Sequence, residues 1–249
     1  CPDCGPRLAM LDRDGTVLAS GDAALAAAVT CVTGGGILAL KGLGGYQLVA
    51  DARDAAAVTT LRERKRRPRK PFALMVRDLD EAQALCRLSA AEARLLTAPA
   101  GPIVLLERRD DRAAGTLAPD IAPGLRTLGV MLPTTPLHHL LLRDIAGPVV
   151  CTSGNVSESP LAIDDAEARQ RLGDIADLWL AHDRPILRAL DDSVARVIDW
   201  APQLLRAGRG YAPVVLPLAT AEPVLGCGGS LKNTVAVAGD GRAVIGQHL

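Results

Sequence analysis

The sequence predicts an α/β fold, a sheet flanked by helices. Apolar runs of four to six residues, among them Ile37–Leu40, Phe72–Val76, Gly101–Leu106, Leu128–Leu132 and Pro148–Cys151, have the length of buried strands. Alanine- and leucine-rich stretches between them begin at capping residues and end at glycine or proline, as helices do. Apolar residues make up 49% of the 249, enough for a core, and 28 basic residues balance 28 acidic ones.

Taken in order, Cys1-Pro2-Asp3-Cys4 has the spacing of half a zinc knuckle, and a structural zinc needs four ligands. No second Cys-x-x-Cys follows, so the other half is expected upstream. Asp22 is expected to cap a helix through about Thr30, which Gly34-Gly35-Gly36 ends. The Ile37–Leu40 strand runs into Lys41-Gly42-Leu43-Gly44-Gly45-Tyr46, a glycine-rich turn with a lysine at its mouth. The turn fits neither the dinucleotide nor the phosphate-loop spacing, and Gln47–Ala50 continues as strand. Asp51 or Asp54 caps the next helix, whose apolar face includes Ala57, Val58 and Leu61.

That helix delivers a dense basic cluster. Residues 62–70 carry seven cations and one acid, local in a chain of zero net charge. Pro68 and Pro71 stop the helix and stiffen the bend into the Phe72–Val76 strand. Cations fixed on a rigid rim suit a polyphosphate, and charge alone leaves a solvated helix end as an equal reading.

Asp78 to Leu96 reads as one or two helices, and Asp110 to Gly124 as a polar loop, the best candidate for a mobile lid. Pro133-Thr134-Thr135-Pro136 turns into the helix Leu137–Leu142, with His138 and His139 at a helix start or substrate contact rather than at metal spacing. Thr152-Ser153-Gly154-Asn155 lies at the carboxyl end of a strand, where α/β sheets place ligands. Its hydroxyls and amide can approach a phosphate or sugar, although such turns are common. Asp164 with Glu167 starts a helix through Leu172. Asp191-Asp192-Ser193-Val194 precedes the strand Ala195–Ile198. Its acids could hold a metal through phosphates, pair with nearby arginines, or only turn the chain. Arg206 and Arg209 follow on a glycine-rich segment, Pro213–Pro223 reads as a linker, and Val224 onward as a hairpin.

The bulk properties narrow the functional classes. No apolar run reaches the roughly 18 residues of a membrane span, and there is no basic-then-apolar leader. The chain does not begin with Met, which suggests a segment of a longer protein. Six scattered cysteines do not form a disulfide framework and fit a reducing cytoplasm. Neutral charge and the scarcity of aromatics (two Trp, two Tyr, one Phe) argue against a nucleic-acid binder.

Lys65-x-Arg67-Pro68-x-Lys70-Pro71, Thr152-Ser153-Gly154-Asn155 and Asp191-Asp192-Ser193-Val194 together resemble the YrdC-like domain. The flanks resemble the HypF family of carbamoyltransferases of [NiFe]-hydrogenase maturation: Cys1-Pro2-Asp3-Cys4-Gly5-Pro6-Arg7-Leu8, the Lys41–Tyr46 turn, Leu132–Leu141, His182-Asp183-Arg184-Pro185-Ile186, Arg206–Pro213 and Leu225–Thr234. The resemblance implies a twisted mixed sheet with flanking helices and a basic concave face. It divides the chain into the end of a zinc-finger region (1–14), a YrdC-like domain (15–213), a linker (214–222) and the start of a TsaD-like domain of the actin/hexokinase type (223–249).

The activity implied is ATP-dependent formation of carbamoyl-adenylate from carbamoyl phosphate or carbamate, with release of pyrophosphate. The carbamoyl group then passes to the C-terminal cysteine of a HypE-type acceptor protein, toward a cyanide ligand. ATP and Mg²⁺ are implied, with Zn²⁺ in the full-length protein, held in part by Cys1 and Cys4. Lys65, Arg67 and Lys70 would act on phosphates and carbamate as catalytic residues. Ser153, Asn155, Ser193, Arg206 and Arg209 would bind the nucleotide, and Lys41 and Thr152 the substrate. Ala189 and Ala207 stand where the family pattern has arginines, which bears on which arginine reaches the nucleotide. Two alternatives share the fold: a threonylcarbamoyl-adenylate synthase for tRNA modification, and a double-stranded RNA-binding module. The half-knuckle and the C-terminal hairpin speak against the first, and the neutral charge against the second. A non-catalytic structural piece of the larger enzyme is a further alternative.

Overall fold

The computed structural model describes residues 5–109, 117–156, 159–220, 222–229 and 233–248. Cys1 and Cys4 therefore lie outside the described residues, as do 110–116, the first half of the stretch read as a lid. The main sheet holds twelve strands: β1 Leu8–Leu11, β2 Val17–Ser20, β3 Leu38–Lys41, β4 Tyr46–Asp51, β5 Ala73–Met75, β6 Cys86–Arg87, β7 Ile103–Arg108, β8 Thr127–Met131, β9 Val149–Ser153, β10 Leu178–His182, β11 Val194–Ile198 and β12 Ala201–Arg206. Their order is β12-β11-β7-β8-β5-β9-β4-β3-β10-β1-β2, with β6 paired to β7. The sheet is mixed: β3/β10, β5/β8 and β7/β11 run parallel and the other pairs antiparallel.

Strand alternation sorts the core into two layers. Leu48 and Ala50 of β4, Leu74 of β5 and Val150 of β9 face one layer. Val49, Met75, Val149 and Cys151, their neighbours in the chain, face the other. Helices α1 (Gly21–Thr33) and α5 (Pro136–Ile145) cover the second face through Ala24, Ala28, Val32, Leu141, Leu142 and Ile145. Helices α2 (Ala55–Arg64), α3 (Leu79–Leu85), α4 (Ala90–Leu96) and α6 (Asp165–Leu172) cover the first.

Several elements depart from the sequence reading, each for a local reason. Leu8, assigned there to the end of a zinc-binding region, opens β1, which pairs with β10 at Leu8↔His182 and so belongs to the main sheet. The cap of α1 position is Ser20, with Asp22 in the first turn. Asp54 caps α2 by accepting from the N–H groups of Ala56 and Ala57. The Asp51 carboxylate is instead taken by Arg53 at 2.8 Å. Residues 117–124 do not behave as a lid: Leu117, Ala118, Ile121 and Ala122 are buried, and Phe72 N–H donates to Ile121 O at 2.9 Å.

The stretch read as a linker carries a strand, β13 Val214–Pro217, paired with β16 Arg242–Ile245. With β14 Val224–Cys227 and β15 Val235–Gly239 these form a second, four-stranded sheet in the order β13-β16-β15-β14. Just past β16, Gln247 Nε2 donates to Ala189 O at 2.7 Å. His248 N–H donates to Ala207 O at 2.8 Å, and Ala207 N–H donates back to His248 Nδ1 at 3.1 Å. Among the described residues no helix is long and apolar enough to cross a membrane.

Leu74 sits fully buried in the sheet centre between β8 and β9. Leu74→Ala is expected to lower unfolding free energy by about 2–5 kcal/mol with an unchanged denaturant slope, measured by urea titration.

Candidate functional site

The first wall of the site is made by the way α2 ends. Lys65 is its C-cap and Arg66 takes a left-handed conformation, φ 51°. Arg66 N–H donates to Glu63 O and Arg67 N–H to Arg62 O, both at 2.9 Å, the paired bonds of a Schellman ending. A non-glycine residue holds this conformation at a cost of about 1 kcal/mol. The turn sends the Lys65 side chain inward and Arg67 back across the helix end. Lys65 is 1% exposed, and its ammonium donates to Ser153 O at 2.6 Å, to Asn155 Oδ1 at 2.9 Å and to Asn155 O.

The opposing turn is built to receive it. Ser153 Oγ donates to Asn155 Oδ1 at 2.7 Å, and Asn155 Nδ2 donates to Ser159 O at 2.5 Å. Gly154 N–H donates to Tyr46 O at 2.6 Å, and a Cβ at this position would lie 2.5 Å from the same oxygen, so only glycine allows the approach. Arg67 Nη1 donates to Thr152 Oγ1 at 3.3 Å and its Nη2 to Pro71 O at 2.5 Å. The guanidiniums of Arg67 and Arg62 both lie over the Phe72 ring, 5.1 and 4.5 Å from its centroid. Burial first, then repulsion from Arg62 and Arg206, pulls the Arg67 guanidinium down to about 10, with Asp191 opposing. Lys70 is exposed at the rim, and its carbonyl accepts from Arg67 Nε at 3.1 Å and Arg62 Nη1 at 3.2 Å.

The second wall comes from residues 191–209. Arg206 pairs with Asp191 at 3.3 Å and donates to Asp192 O through Nε at 2.9 Å and Nη2 at 2.6 Å. Arg209 pairs with Asp192 at 2.8 Å and donates to the carbonyls of Ala100 and Gly101, each at 2.9 Å. Of the three readings open for Asp191 and Asp192, the pairing with arginines is the arrangement present. Among the described residues no group of three or more His, Cys, Asp or Glu converges where a metal could be held. Ser193 is fully buried: its hydroxyl donates to Arg209 O at 2.9 Å and accepts from Gly208 N–H at 2.8 Å. It therefore fixes the arginine-bearing loop and, as folded here, turns no hydroxyl toward a ligand.

Lys41 is likewise corrected. Its ammonium is 2.7 Å from Asp165 and donates to His182 O at 2.9 Å, while Tyr46 Oη donates to Asp165 Oδ1 at 2.8 Å. The lysine at the mouth of the glycine turn thus anchors that turn to α6 and β10.

A narrow recess of about 20 Å³ lies between Ser153 at the edge of the first wall and Asp191, Asp192 and Arg209 of the second, lined also by Gly44, Tyr46, Gln47 and His138. It shares Leu43, Thr134 and Arg209 with an open cleft of about 880 Å³ that reaches Arg77, Leu96 and His139. A cleft of that size accommodates a nucleotide-sized ligand. Sequence reasoning missed Gln47, a polar residue within an ordinary strand pattern. Gln47 Oε1 lies 3.0 Å from His138 Nε2, and Thr134 N–H donates to His138 Nδ1 at 3.3 Å. The imidazole is therefore protonated on Nε2 and donates to Gln47.

The site's geometry and the mixed sheet define a class. The profile of the Sua5–YciO–YrdC family, described as "Telomere recombination", matches residues 30–208, and the chain belongs to this family. Its nearer likeness is to carbamoyltransferases. The carbamoyltransferase HypF of Rhodobacter capsulatus is 48% identical over 253 residues, covering all of this chain and 33% of that protein. That of Synechocystis sp. is 45% identical over 245 residues, 98% of this chain and 32% of that protein. A threonylcarbamoyl-AMP synthase of Bacillus subtilis is 27% identical over 184 residues, 72% of this chain and 46% of that protein. A crystal structure of full-length HypF in a phosphate- and nucleotide-bound form superposes with a TM-score of 0.91 at 41% identity, covering all of this chain and 32% of that one. The fold is shared with Pyrococcus abyssi Sua5, TM-score 0.66 at 20% identity over 76% of this chain and 54% of that one. The chain thus spans about a third of the length of its HypF relatives.

The buried His138 gives the site a pH signature. Desolvation first, then the neighbouring Arg209 and His139 charges, holds its imidazole down from 6.5 to about 4. The unfolded chain binds the proton first as pH falls, so this stability is whole above pH 6.5 and lost down to pH 4. Urea titrations are expected to show up to about 3 kcal/mol of loss across that window, and His138→Asn to flatten it.

Proposed function

We propose that the chain is the adenylating part of a HypF-type carbamoyltransferase, which joins carbamate to the AMP moiety of ATP and releases pyrophosphate. The observation that carries the reading is the meeting of Lys65 and Arg67 with the Thr152–Asn155 turn, 2.6 and 3.3 Å apart at the nearest contacts. Likeness to HypF over the whole chain supports it, as does the solved HypF that holds phosphate and nucleotide.

In the reaction a carbamate oxygen attacks the α-phosphorus, a new P–O bond forms, and the bond to the β-phosphate bridging oxygen breaks as pyrophosphate leaves. Negative charge builds on phosphoryl oxygens, so fixed cations supply most of the catalysis. Arg67, crowded by Arg62 and Arg206, gains most from an arriving anion, because phosphate relieves the mutual repulsion. Lys65 acts from beneath, holding the Ser153–Asn155 turn and placing a positive charge under it. Ser153 meets phosphate or ribose oxygens, while Asn155, buried with its amide bonded to Lys65, Ser153 and Ser159, shapes the turn that presents it. Arg206 and Arg209, oriented by Asp191, Asp192 and Ser193, close the nucleotide side. Lys70 at the rim draws in the polyphosphate.

Mg²⁺ fits as a companion of the nucleotide, offsetting charge on phosphate oxygens, since Asp191 and Asp192 are committed to arginines. Zn²⁺ belongs to the full-length protein, where Cys1 and Cys4 would supply half of a site. Carbamoyl phosphate as the upstream donor, a HypE-type acceptor cysteine, the cyanide-ligand destination and a cytoplasmic setting follow from the same kinship.

ATP–pyrophosphate exchange tests the reading. With ammonium bicarbonate as the carbamate source, the folded chain is expected to exchange label, and Arg67→Ala to lose about 10²–10³-fold. No exchange from folded wild type overturns the reading, and exchange that requires threonine hands it to the threonylcarbamoyl alternative.

A further inference from the structure

Gln47 is not assigned by any motif, yet its amide lines the recess and is held by His138. Its position on β4 is directly across from Ser153 on β9. Thr134 N–H donates to His138 Nδ1, so the ring proton sits on Nε2 and must point at Gln47 Oε1, 3.0 Å away. That bond fixes which end of the amide is oxygen. With the amide oxygen held by His138, the Gln47 –NH₂ donors are the part of the side chain left to serve the recess, which Ser153 and Asp192 also line. The facing wall offers the Asp192 carboxylate, whose Oδ1 pairs with Arg209 at 2.8 Å and which keeps further acceptor capacity.

From this arrangement we infer that the recess between Gln47 and Asp192 seats the carbamoyl group, and that Gln47 is its specificity-determining residue. The inference rests on the adenylation reading above and adds the residue that selects the acyl substrate. The chemistry matches at both ends. A carbamoyl group has one carbonyl acceptor, met by the Gln47 amide donors, and one –NH₂ donor, met by the Asp192 carboxylate. The space matches as well. About 20 Å³ is open, against the roughly 10–15 Å³ that one water needs, so only a small polar end group enters the recess. An amino-acid substituent on the carbamoyl nitrogen would replace one of its two N–H groups and would need room that the small recess, lined also by Leu161 and Leu190, does not offer. The same walls therefore accept carbamate and exclude its threonyl derivative. His138 acts through Gln47 as a positioning residue.

The test is ATP–pyrophosphate exchange with the full chain, titrated separately in ammonium bicarbonate and in ATP. Binding of a fluorescent ATP analogue and thermal unfolding are read on the same samples. Gln47→Leu keeps the volume and removes the donor; Gln47→Glu keeps the shape and replaces the donor with an acceptor. Both are expected to raise half-saturating bicarbonate by about tenfold or more, while ATP half-saturation and analogue binding stay within about twofold. An unchanged bicarbonate dependence in either folded variant, with wild type active, overturns the assignment alone. An equal loss of analogue binding also overturns it, because the recess would then serve the nucleotide. Absence of exchange from wild type brings down the functional reading and this assignment together.

Discussion

One buried amine holds the site together. The Lys65 ammonium, 1% exposed, ends α2 against the turn that follows β9, and three oxygens of Ser153 and Asn155 compensate for the water it has left. Taking a charged amine out of water costs several kcal/mol unless its donors are met, so helix end and turn are bound to each other's geometry. Everything downstream inherits that constraint. Asn155 can spend its amide on Ser159 because its Oδ1 is claimed by Lys65 and by the Ser153 hydroxyl. Arg67, two residues past the helix end, is laid against Thr152 and Phe72 by the same turn.

Around this tie the charges are deliberately unequal. The second wall neutralises itself, since each of Asp191 and Asp192 has an arginine. The first wall does not: Arg62 and Arg67 share one aromatic ring, and burial and mutual repulsion work against the charge on Arg67. A face loaded in this way has a built-in preference for anions, and the neutral net charge of the whole chain is no obstacle to it. The field that matters is set within a few side chains.

The fold was legible where strands are bounded by breakers. β3, β4, β5, β7, β8 and β9 are apolar runs flanked by glycine, proline or aspartate, and their residues alternate between the two core layers as period-2 strands must. β1 escaped because its four residues carry little strand signal of their own and are fixed by pairing on both edges, with β2 nearby and with β10 some 170 positions away in sequence. β13 was hidden by proline- and alanine-rich surroundings that look like a linker. The loop at 117–124 shows the opposite error: proline and glycine suggested mobility, while Leu117 and Ile121 are packed into the core. In the site, the motif-bearing residues Lys65 and Arg67 lie against Ser153 and Thr152. Ser193 and Lys41 lie near it but spend their polar groups on the protein itself. Residue type cannot tell a hydroxyl that greets a ligand from one that pins a loop, and Gln47 carries no pattern that would single it out from a strand.

The small sheet is not a passive appendage. Its last strand continues into Gln247 and His248, which grip Ala189 and Ala207. Ala189 stands two positions before Asp191, and Ala207 directly follows Arg206. The clasp therefore works as a lever: a tilt of the small sheet pulls on both loops at once, so it and the arginine–aspartate wall cannot move independently.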